Sequence, residues 1–483
     1  MQCEAMLAAA IALLACLAWA GEDAEAFVRV SPRDPRYLEL TNGKPYIPIG
    51  LNVIHPRGAP DAETGLAQLD QWMKALADNG ANHLRVWLSA PFFDVEHARS
   101  GVYDGEKAKR TDALLALARK HGIRIKMTLE HFREIDPASP RKTWALKAIH
   151  HTSQGGPAAS TREWFDGQPT REQFKRKLAW FASRYGSDPI IYGWELWNEV
   201  NCVHGGDSMA WTELMLGELR RLFPRNLVMQ SLGSHDGDWA RNPYRRLTLM
   251  KGNDVAQVHR YLDLGAQFKV CHGPVDVMAS DAVRELLALK PGRPVILAES
   301  GAVEPRHAGP FKLYARDKAG IILHDVLFAP FFAGAAGCGQ CWHWDAYVAA
   351  NNLWWQFGRF AGAVKGLDPP AEAFEPTMLD HPRLRVYALN GKRTTLLWCR
   401  DKENTWESEL RDGREPGEVR GATLDLTPLD GVPPSTAAVE GARRHEAIAY
   451  DPWEHRTTPL SPKGPVVELP PFRRSIVVRL TAP

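Results

Sequence analysis

The chain lacks a charge excess of either sign, with 59 Lys and Arg against 57 Asp and Glu for a formal balance of +2. Such a balance excludes the global field that draws a protein to nucleic acid or an anionic membrane. Long apolar runs are missing after the first twenty residues, so no later stretch is long enough to span a bilayer. Cysteine is scarce: beyond residue 20 there are only Cys202, Cys271, Cys338, Cys341 and Cys399. An odd number leaves at least one thiol unbridged in an oxidising compartment. Cys338-Gly-Gln-Cys341 has no partner pair with which to hold zinc, so packed thiols with up to one disulfide are the expectation. Internal repeats and low-complexity tracts are absent too, as is a glycine-rich phosphate loop after an early strand. The last of these argues against a doubly wound dinucleotide-binding sheet.

The one long apolar stretch lies at the N-terminus. Met6 to Ala20 (MLAAAIALLACLAWA) closes on Ala18-Trp19-Ala20, a small-x-small cleavage pattern. Residues 1–20 therefore read as a secretory signal peptide, although Glu4 stands where Lys or Arg is usual. A cut before Cys16 would instead leave a lipid-modified cysteine. Either way the expected location is outside the cytoplasm, secreted or periplasmic. At 483 residues the chain exceeds one ordinary core, so a large domain plus a smaller one is expected.

From about Tyr46 to Val364, short apolar runs alternate with amphipathic stretches. Strands are predicted at 46–53, 83–89, 123–132, 190–197, 226–233, 254–261, 294–301 and 334–344. Helical spacing between them is clearest at 66–79, 111–121, 171–185, 209–222, 279–289 and 321–332. Between residues 133 and 170 lies a long loop holding His150, His151 and two tryptophans, Trp144 and Trp164; loops of that length are usually functional. Eight strand and helix units describe a (β/α)8 barrel over residues 21–369, whose active site belongs at the C-terminal strand ends. Beyond Pro369, short alternating runs such as RLRVYALN, TTLLWCR and SIVVRLTA predict a small β-sandwich over 370–483.

Two of the predicted strands end in a carboxylate. Asn198-Glu199 closes IIYGWELWNE, and Glu299 closes PVILAE one hundred residues later. Since a barrel unit takes ~30 residues, three units separate them, placing the pair on the fourth and seventh strands. Two carboxyls about 5 Å apart are what a retaining glycosidase requires. WELWNE followed by ILAESG resembles the clan A glycoside hydrolases, most closely family 5, which includes cellulases and mannanases. The resemblance implies Glu199 as acid/base, Glu299 as nucleophile and Asn198 as the ligand of the sugar 2-hydroxyl. It also implies that Arg85 in LRVW binds the nucleophile and lowers its pKa, while His259 lies near the sugar and Tyr261 bonds the nucleophile. Trp342, or Trp344 of the same parity, would floor the reactive sugar, with His131 as a looser match. Val200 stands where the family more often has proline. No cofactor or metal is implied, and the expected partner is a poly- or oligosaccharide.

Simpler readings compete at single positions. Glu195 shares a strand face with Glu199 and is expected to be a buried ion-pair member, with Arg124 or Lys126 as partner. Glu130 also ends a strand and is a lesser candidate nucleophile. His150-His151 reads as hydrogen-bonding loop residues, since a metal-dependent barrel hydrolase needs His-x-His on its first strand and only His55 is there. The seventeen tryptophans, including Trp239, are divided between core packing and sugar stacking. The sandwich is expected to dock on the barrel as a structural module, with carbohydrate binding as the alternative. An exo-acting β-mannosidase, β-glucosidase or β-galactosidase, and a binding protein without turnover, are the rival functions.

Overall fold

The computed structural model describes residues 23–138, 147–429 and 446–482. The predicted leader, Cys16 and Trp144 lie outside the described residues. A short hairpin (Val28–Val30 with Leu38–Leu40) precedes the barrel. Parallel strands follow: β1 (Gly50–Asn52), β2 (His83–Trp87), β3 (Arg124–Glu130), β4 (Ile191–Trp197), β5 (Leu227–Met229), β6 (Ala256–His259) and β7 (Val295–Glu299). β1 to β5 are laddered in sequence order, and β6 pairs with β7. Every residue of β3 and β4 is buried, as expected for parallel strands covered on both faces.

The strands are all shorter than their predicted runs, and at two of them the hydrogen bonding shows why. β5 stops at Met229 because side chains replace the ladder there: Gln230 Oε1 accepts from the Trp197 amide at 3.1 Å, and the Gln230 amide donates to Asn253 Oδ1 at 3.3 Å. The eighth run forms no ladder beyond a single Ser300–Cys341 bridge. It still closes the barrel, since Gln340 N donates to Leu297 O at 2.9 Å and Asn52 N donates to Cys341 O at 3.0 Å.

Around this core pack α1 (Ala62–Asp78), α2 (Gly105–His121), α3 (Gln168–Tyr185), α4 (Ser208–Leu222), α5 (Asp238–Leu249), α6 (Val275–Leu287), α7 (Ile321–Phe332) and α8 (Trp355–Val364). Local chemistry sets their ends. Asp104 caps α2 by accepting from the Glu106 and Lys107 amides, and Gly122 stops it at φ 68°. α5 and α8 were not expected from periodicity. α5 carries Pro243 and buries only Ala240, Tyr244, Leu247 and Thr248, so its apolar stripe is thin. The predicted long loop holds a 3-10 turn (Thr152–Gln154) and a short helix (Thr161–Asp166).

The C-terminal module is a six-stranded antiparallel sheet in the order Glu375–Leu379, Leu384–Asn390, Thr394–Asp401, Ser475–Thr481, Glu446–Asp451, Arg456–Pro459. Alternation along its central strands sorts two cores. Tyr387, Leu389, Leu396, Trp398 and Val477 join the barrel core. Their neighbours Val386, Ala388, Leu397, Cys399 and Val478 join a second core with Leu424 and Val467 of two small strand pairs. α7 is buried along its whole length between barrel and sheet. Buried charges fix the docking: Arg400 bonds Asp325 of α7 at 2.7 Å, and Asp276 accepts from Arg385 and Tyr387 at 2.9 and 2.8 Å. The sheet therefore meets the barrel through an interior, in keeping with a structural module. None of the five cysteines after residue 20 is bridged, so the disulfide allowed for is not formed.

Candidate active site

The C-terminal ends of the barrel strands surround a cavity of about 590 Å³. Six of the expected catalytic and substrate-binding residues line it, Asn198, Glu199, Tyr261, Glu299, Trp342 and Trp344, and so does Trp239. Arg85 and His259 lie directly behind the two glutamates, fully buried. His131 does not reach the cavity; it is buried behind Trp87, with ring centroids 4.5 Å apart, and shares a hydrogen with Ser89 Oγ at 2.6 Å.

Arg85 organises the floor. Its guanidinium grips Glu195 at 2.8 and 3.0 Å and donates to Asn198 Oδ1 at 2.6 Å and to Asn52 Oδ1 at 3.2 Å. Another of its N–H groups bonds Glu299 Oε1. With its carbonyl oxygen taken by Arg85, Asn198 has its amide nitrogen left for a ligand. The ion-pair expectation for Glu195 holds, but its main partner is corrected: Arg85 binds it bidentately, and Lys126 stands at 3.8 Å. Arg124 instead bonds Asp23 O at 2.8 Å and Pro189 O. Burial pushes the Glu195 pKa up, yet Arg85 and then Lys126 outweigh it and hold the group at about 2.

Glu199 has left-handed backbone angles, φ 52° and ψ 53°, rare for a residue with a side chain. The turn is held by Ser231 Oγ, which accepts from the Glu199 amide at 3.1 Å, and by Glu199 O, which accepts from Cys202 N at 2.8 Å. It swings the carboxyl across the strand end toward Glu299. His259 Nδ1 sits between them, 2.7 Å from Glu199 Oε1 and 3.4 Å from Glu299 Oε2. The three atoms lie within 4.8 Å of one another. Tyr261 donates to Glu299 Oε2 at 2.7 Å.

These surroundings treat the two carboxyls differently. Burial, and then the Glu299 charge, push the Glu199 pKa well above its ordinary value. Burial also raises that of Glu299, but Arg85 and the Tyr261 hydroxyl pull against it. The expected lowering by Arg85 is present and does not overcome burial. Sharing one proton, the pair places it on Glu199. His259 is pushed well below its ordinary pKa by burial and by Arg85, so the imidazole is neutral.

Trp342 packs against Trp87 at 5.1 Å and edge-on to Trp344 at 5.9 Å. Glu130 accepts from Arg133 at 3.1 Å and from Lys177, turned away from the cavity. His150 stacks on Trp164 at 4.2 Å and meets Ser100 Oγ at 2.8 Å, so this histidine and this tryptophan support the loop. Sequence reading missed Trp87, Cys202, Asp236 and His307 as cavity residues. Trp87 was findable, since it shares a strand face with Arg85, two residues away. The others sit on turns that carry no periodic signal.

Residues 54–319 match the family model for cellulase (glycosyl hydrolase family 5). Among curated relatives, mannan endo-1,4-beta-mannosidase 3 of rice (Oryza sativa subsp. japonica) is 27% identical over 215 residues, 39% of this chain and 45% of the rice protein. The chain thus spans under half of that relative's length. Mannan endo-1,4-beta-mannosidase 4 of rice is 23% identical over 389 residues, 72% of this chain and 79% of the relative. A solved structure described as a glycoside hydrolase superposes with a TM-score of 0.59 at 14% identity, covering 95% of this chain and 97% of that one. That likeness speaks to the fold, which extends through barrel and sandwich together. With more than half its length under the family model, and the two strand-end glutamates facing each other across the barrel mouth, the chain belongs to glycosyl hydrolase family 5.

Proposed function

We propose that this protein is a retaining β-glycoside hydrolase that cuts β-mannan within the chain. The observation that carries the reading is the pair of carboxyls whose facing oxygens lie within 4.8 Å. An inverting enzyme needs its carboxyls about 6.5–9.5 Å apart to seat a water between them. Glu299 attacks the anomeric carbon; the glycosidic C–O bond breaks, and Glu199 delivers its proton to the leaving oxygen. In the second half, Glu199 takes a proton from water, whose oxygen displaces Glu299 from the same carbon. Two inversions leave the configuration unchanged.

The cavity wall supports each role. Arg85 and Tyr261 hold Glu299 in one orientation and favour its ionised form. Once Glu299 is glycosylated its charge is gone, one cause of the raised Glu199 pKa disappears, and Glu199 becomes a base. The Asn198 amide faces the sugar 2-hydroxyl, and Trp342 floors the ring under attack. Mannan is favoured among β-glycans because the curated relatives above carry that activity in their names. The apolar N-terminal run supports an export leader ending at residue 20, with the barrel and sandwich dividing near Pro369. Timed hydrolysis of linear β-1,4-mannan tests the reading, and a ladder of oligomers at early times is expected. Release of one small product only would favour an exo-acting enzyme, and hydrolysis of glucan, xylan or galactan in preference would move the substrate class.

A further inference from the structure

One wall of the cavity is not used by the reaction above. Ser234 and Asp236, from the turn after β5, Trp239 at the start of α5, and His307 after β7 line it together. Trp239 is 54% exposed, an unusual state for a tryptophan in this chain. Its indole is nevertheless fixed: Nε1 donates to Asp236 Oδ1 at 3.1 Å. Gly237 leaves the space for this, because a Cβ there would stand 2.7 Å from the indole ring. An exposed aromatic face held rigid in a cleft loses little entropy when a sugar ring stacks on it.

Beside it is a gap of a particular size. Asp263 is 2% exposed on its side chain, and its Oδ1 accepts from the Gly265 and Arg306 amides at 2.7 and 2.9 Å. Its Oδ2 is buried with no hydrogen-bond partner. That oxygen lies 3.7 Å from His307 Nε2, which in turn lies 3.8 Å from Asp236 Oδ2 and 3.2 Å from Ser234 Oγ. These separations are too long for direct hydrogen bonds between imidazole and carboxylates. The three atoms nonetheless lie within 4.8 Å of one another, and an oxygen seated between His307 Nε2 and the unpaired Asp263 Oδ2 reaches both at about 2.8 Å. A hydroxyl suits the set, donating to a carboxylate and accepting from the imidazole N–H. A buried carboxylate oxygen left unpaired costs stability, and a ligand hydroxyl there would recover it.

Position decides which sugar this is. Trp342, Trp87, His55 and Trp344 line the arc of the eighth, second and first strands, and the role proposed above for Trp342 puts the attacked sugar on that arc. The leaving group must then cross Glu199 toward the arc of the β5 and β6 loops. The loop starting there is tied to Glu199 and its turn: Ser231 Oγ accepts the Glu199 amide, and Gly233 N donates to Asn201 Oδ1 at 2.8 Å. His307 also packs edge-on to Tyr261 at 5.1 Å, so the wall continues into the reaction centre. We propose that Trp239, Asp236, Asp263 and His307 form a leaving-group subsite that stacks one sugar ring and binds one of its hydroxyls. The proposal rests on the reading given under Proposed function.

The test compares kcat/KM on mannopentaose with kcat/KM on an aryl β-mannobioside whose leaving group carries no sugar hydroxyls. Wild type, Trp239→Ala, His307→Ala and Asp263→Asn are measured, with thermal unfolding to check the fold. Trp239 is exposed, so its variant keeps the test open if Asp263→Asn fails to fold. The ratio of the two constants should fall about tenfold in each folded variant, the size expected for one lost stacking or hydrogen-bonding contact. An unchanged ratio in Trp239→Ala and His307→Ala refutes the subsite while leaving the catalytic reading intact. If wild type needs Mn²⁺ or Zn²⁺ after chelation and Asp263→Asn abolishes that need, the gap holds a cation and the hydroxyl proposal is wrong. A wild type inert on both substrates overturns the mannan reading and the subsite with it.

Discussion

Replacing Arg85 by Met should cost about as much stability as any single change in the barrel. Arg85 is wholly buried and is the main counter-charge for Glu195, which it grips with two bonds. Holding the Glu195 pKa at about 2 instead of the ordinary 4.5 corresponds to about 3 kcal/mol of folding free energy. The sign follows from the depressed value. This stability is fully present above pH 4.5 and is lost as pH falls toward 2. Arg85→Met strands Glu195 and Glu299 in the interior, and losing one partner of a buried pair typically costs about 3–5 kcal/mol. Urea unfolding followed by tryptophan fluorescence at pH 7 should show a loss of about 3 kcal/mol or more. Between pH 4.5 and 2 the variant should lose less further stability than wild type, because Glu195 is protonated in its folded state. Adding Glu195→Gln to Arg85→Met should restore about half of the loss, since one stranded charge is removed. A variant within about 1 kcal/mol of wild type, or an acid dependence parallel to wild type, would refute the idea that Arg85 neutralises the barrel floor.

Glu199→Gln should lower kcat on mannan by about 10²–10⁴. It should lower kcat/KM far less on an aryl glycoside with an acidic leaving group, because departure of that group needs no proton, while kcat stays low for want of the base that activates water; steady-state kinetics on both substrates checks the difference. In the wild type, activity should fall as pH rises through the elevated Glu199 pKa, because the proton donor is lost; the pH profile of kcat/KM reads this, and an alkaline limb surviving in Glu199→Gln contradicts it. Arg400→Ala leaves Asp325 unpaired between α7 and the sheet and should cost about 3–5 kcal/mol in urea unfolding, with KM unchanged. Cys202 is half-buried, lines the cavity and lies 3.9 Å from Glu199 Oε2, whereas Cys271, Cys338, Cys341 and Cys399 are buried. Ellman's reagent should therefore modify Cys202 first in the native protein, and Cys202→Ser should abolish that fast phase.

What was legible in the sequence was the set of strand ends. Apolar runs closing on Arg85, Asn198-Glu199, His259-x-Tyr261 and Glu299 fixed both the barrel and the order of its polar residues, because a barrel turns strand order into position around a mouth. Parity placed Glu195 in the floor, but could not say that a guanidinium from two strands away would reach it before Lys126. Side-chain amides were invisible as well: Gln230 and Asn253 replace the ladder after β5, and Asn52 donates to Ala298 O, Gln340 O and Cys341 O beside the unladdered eighth run. Turns carried the remaining losses. The left-handed conformation of Glu199, and of Arg306 and His307 at φ 64° and 57°, aims side chains in directions that no periodicity encodes. α5 escaped notice because Pro243 and three arginines leave it few apolar positions, although its Tyr244 hydroxyl accepts from the His259 amide at 3.1 Å and steadies the imidazole between the glutamates.

The central claim is that Glu299 becomes covalently bonded to the sugar. Incubation with a 2-deoxy-2-fluoro-β-mannosyl fluoride slows release of the intermediate, and peptide mass mapping then locates the label. The account predicts a stoichiometric fluoromannosyl adduct on Glu299, in the peptide containing PVILAESGA. An adduct on Glu130 or Glu199, or an active enzyme that forms none, would contradict it.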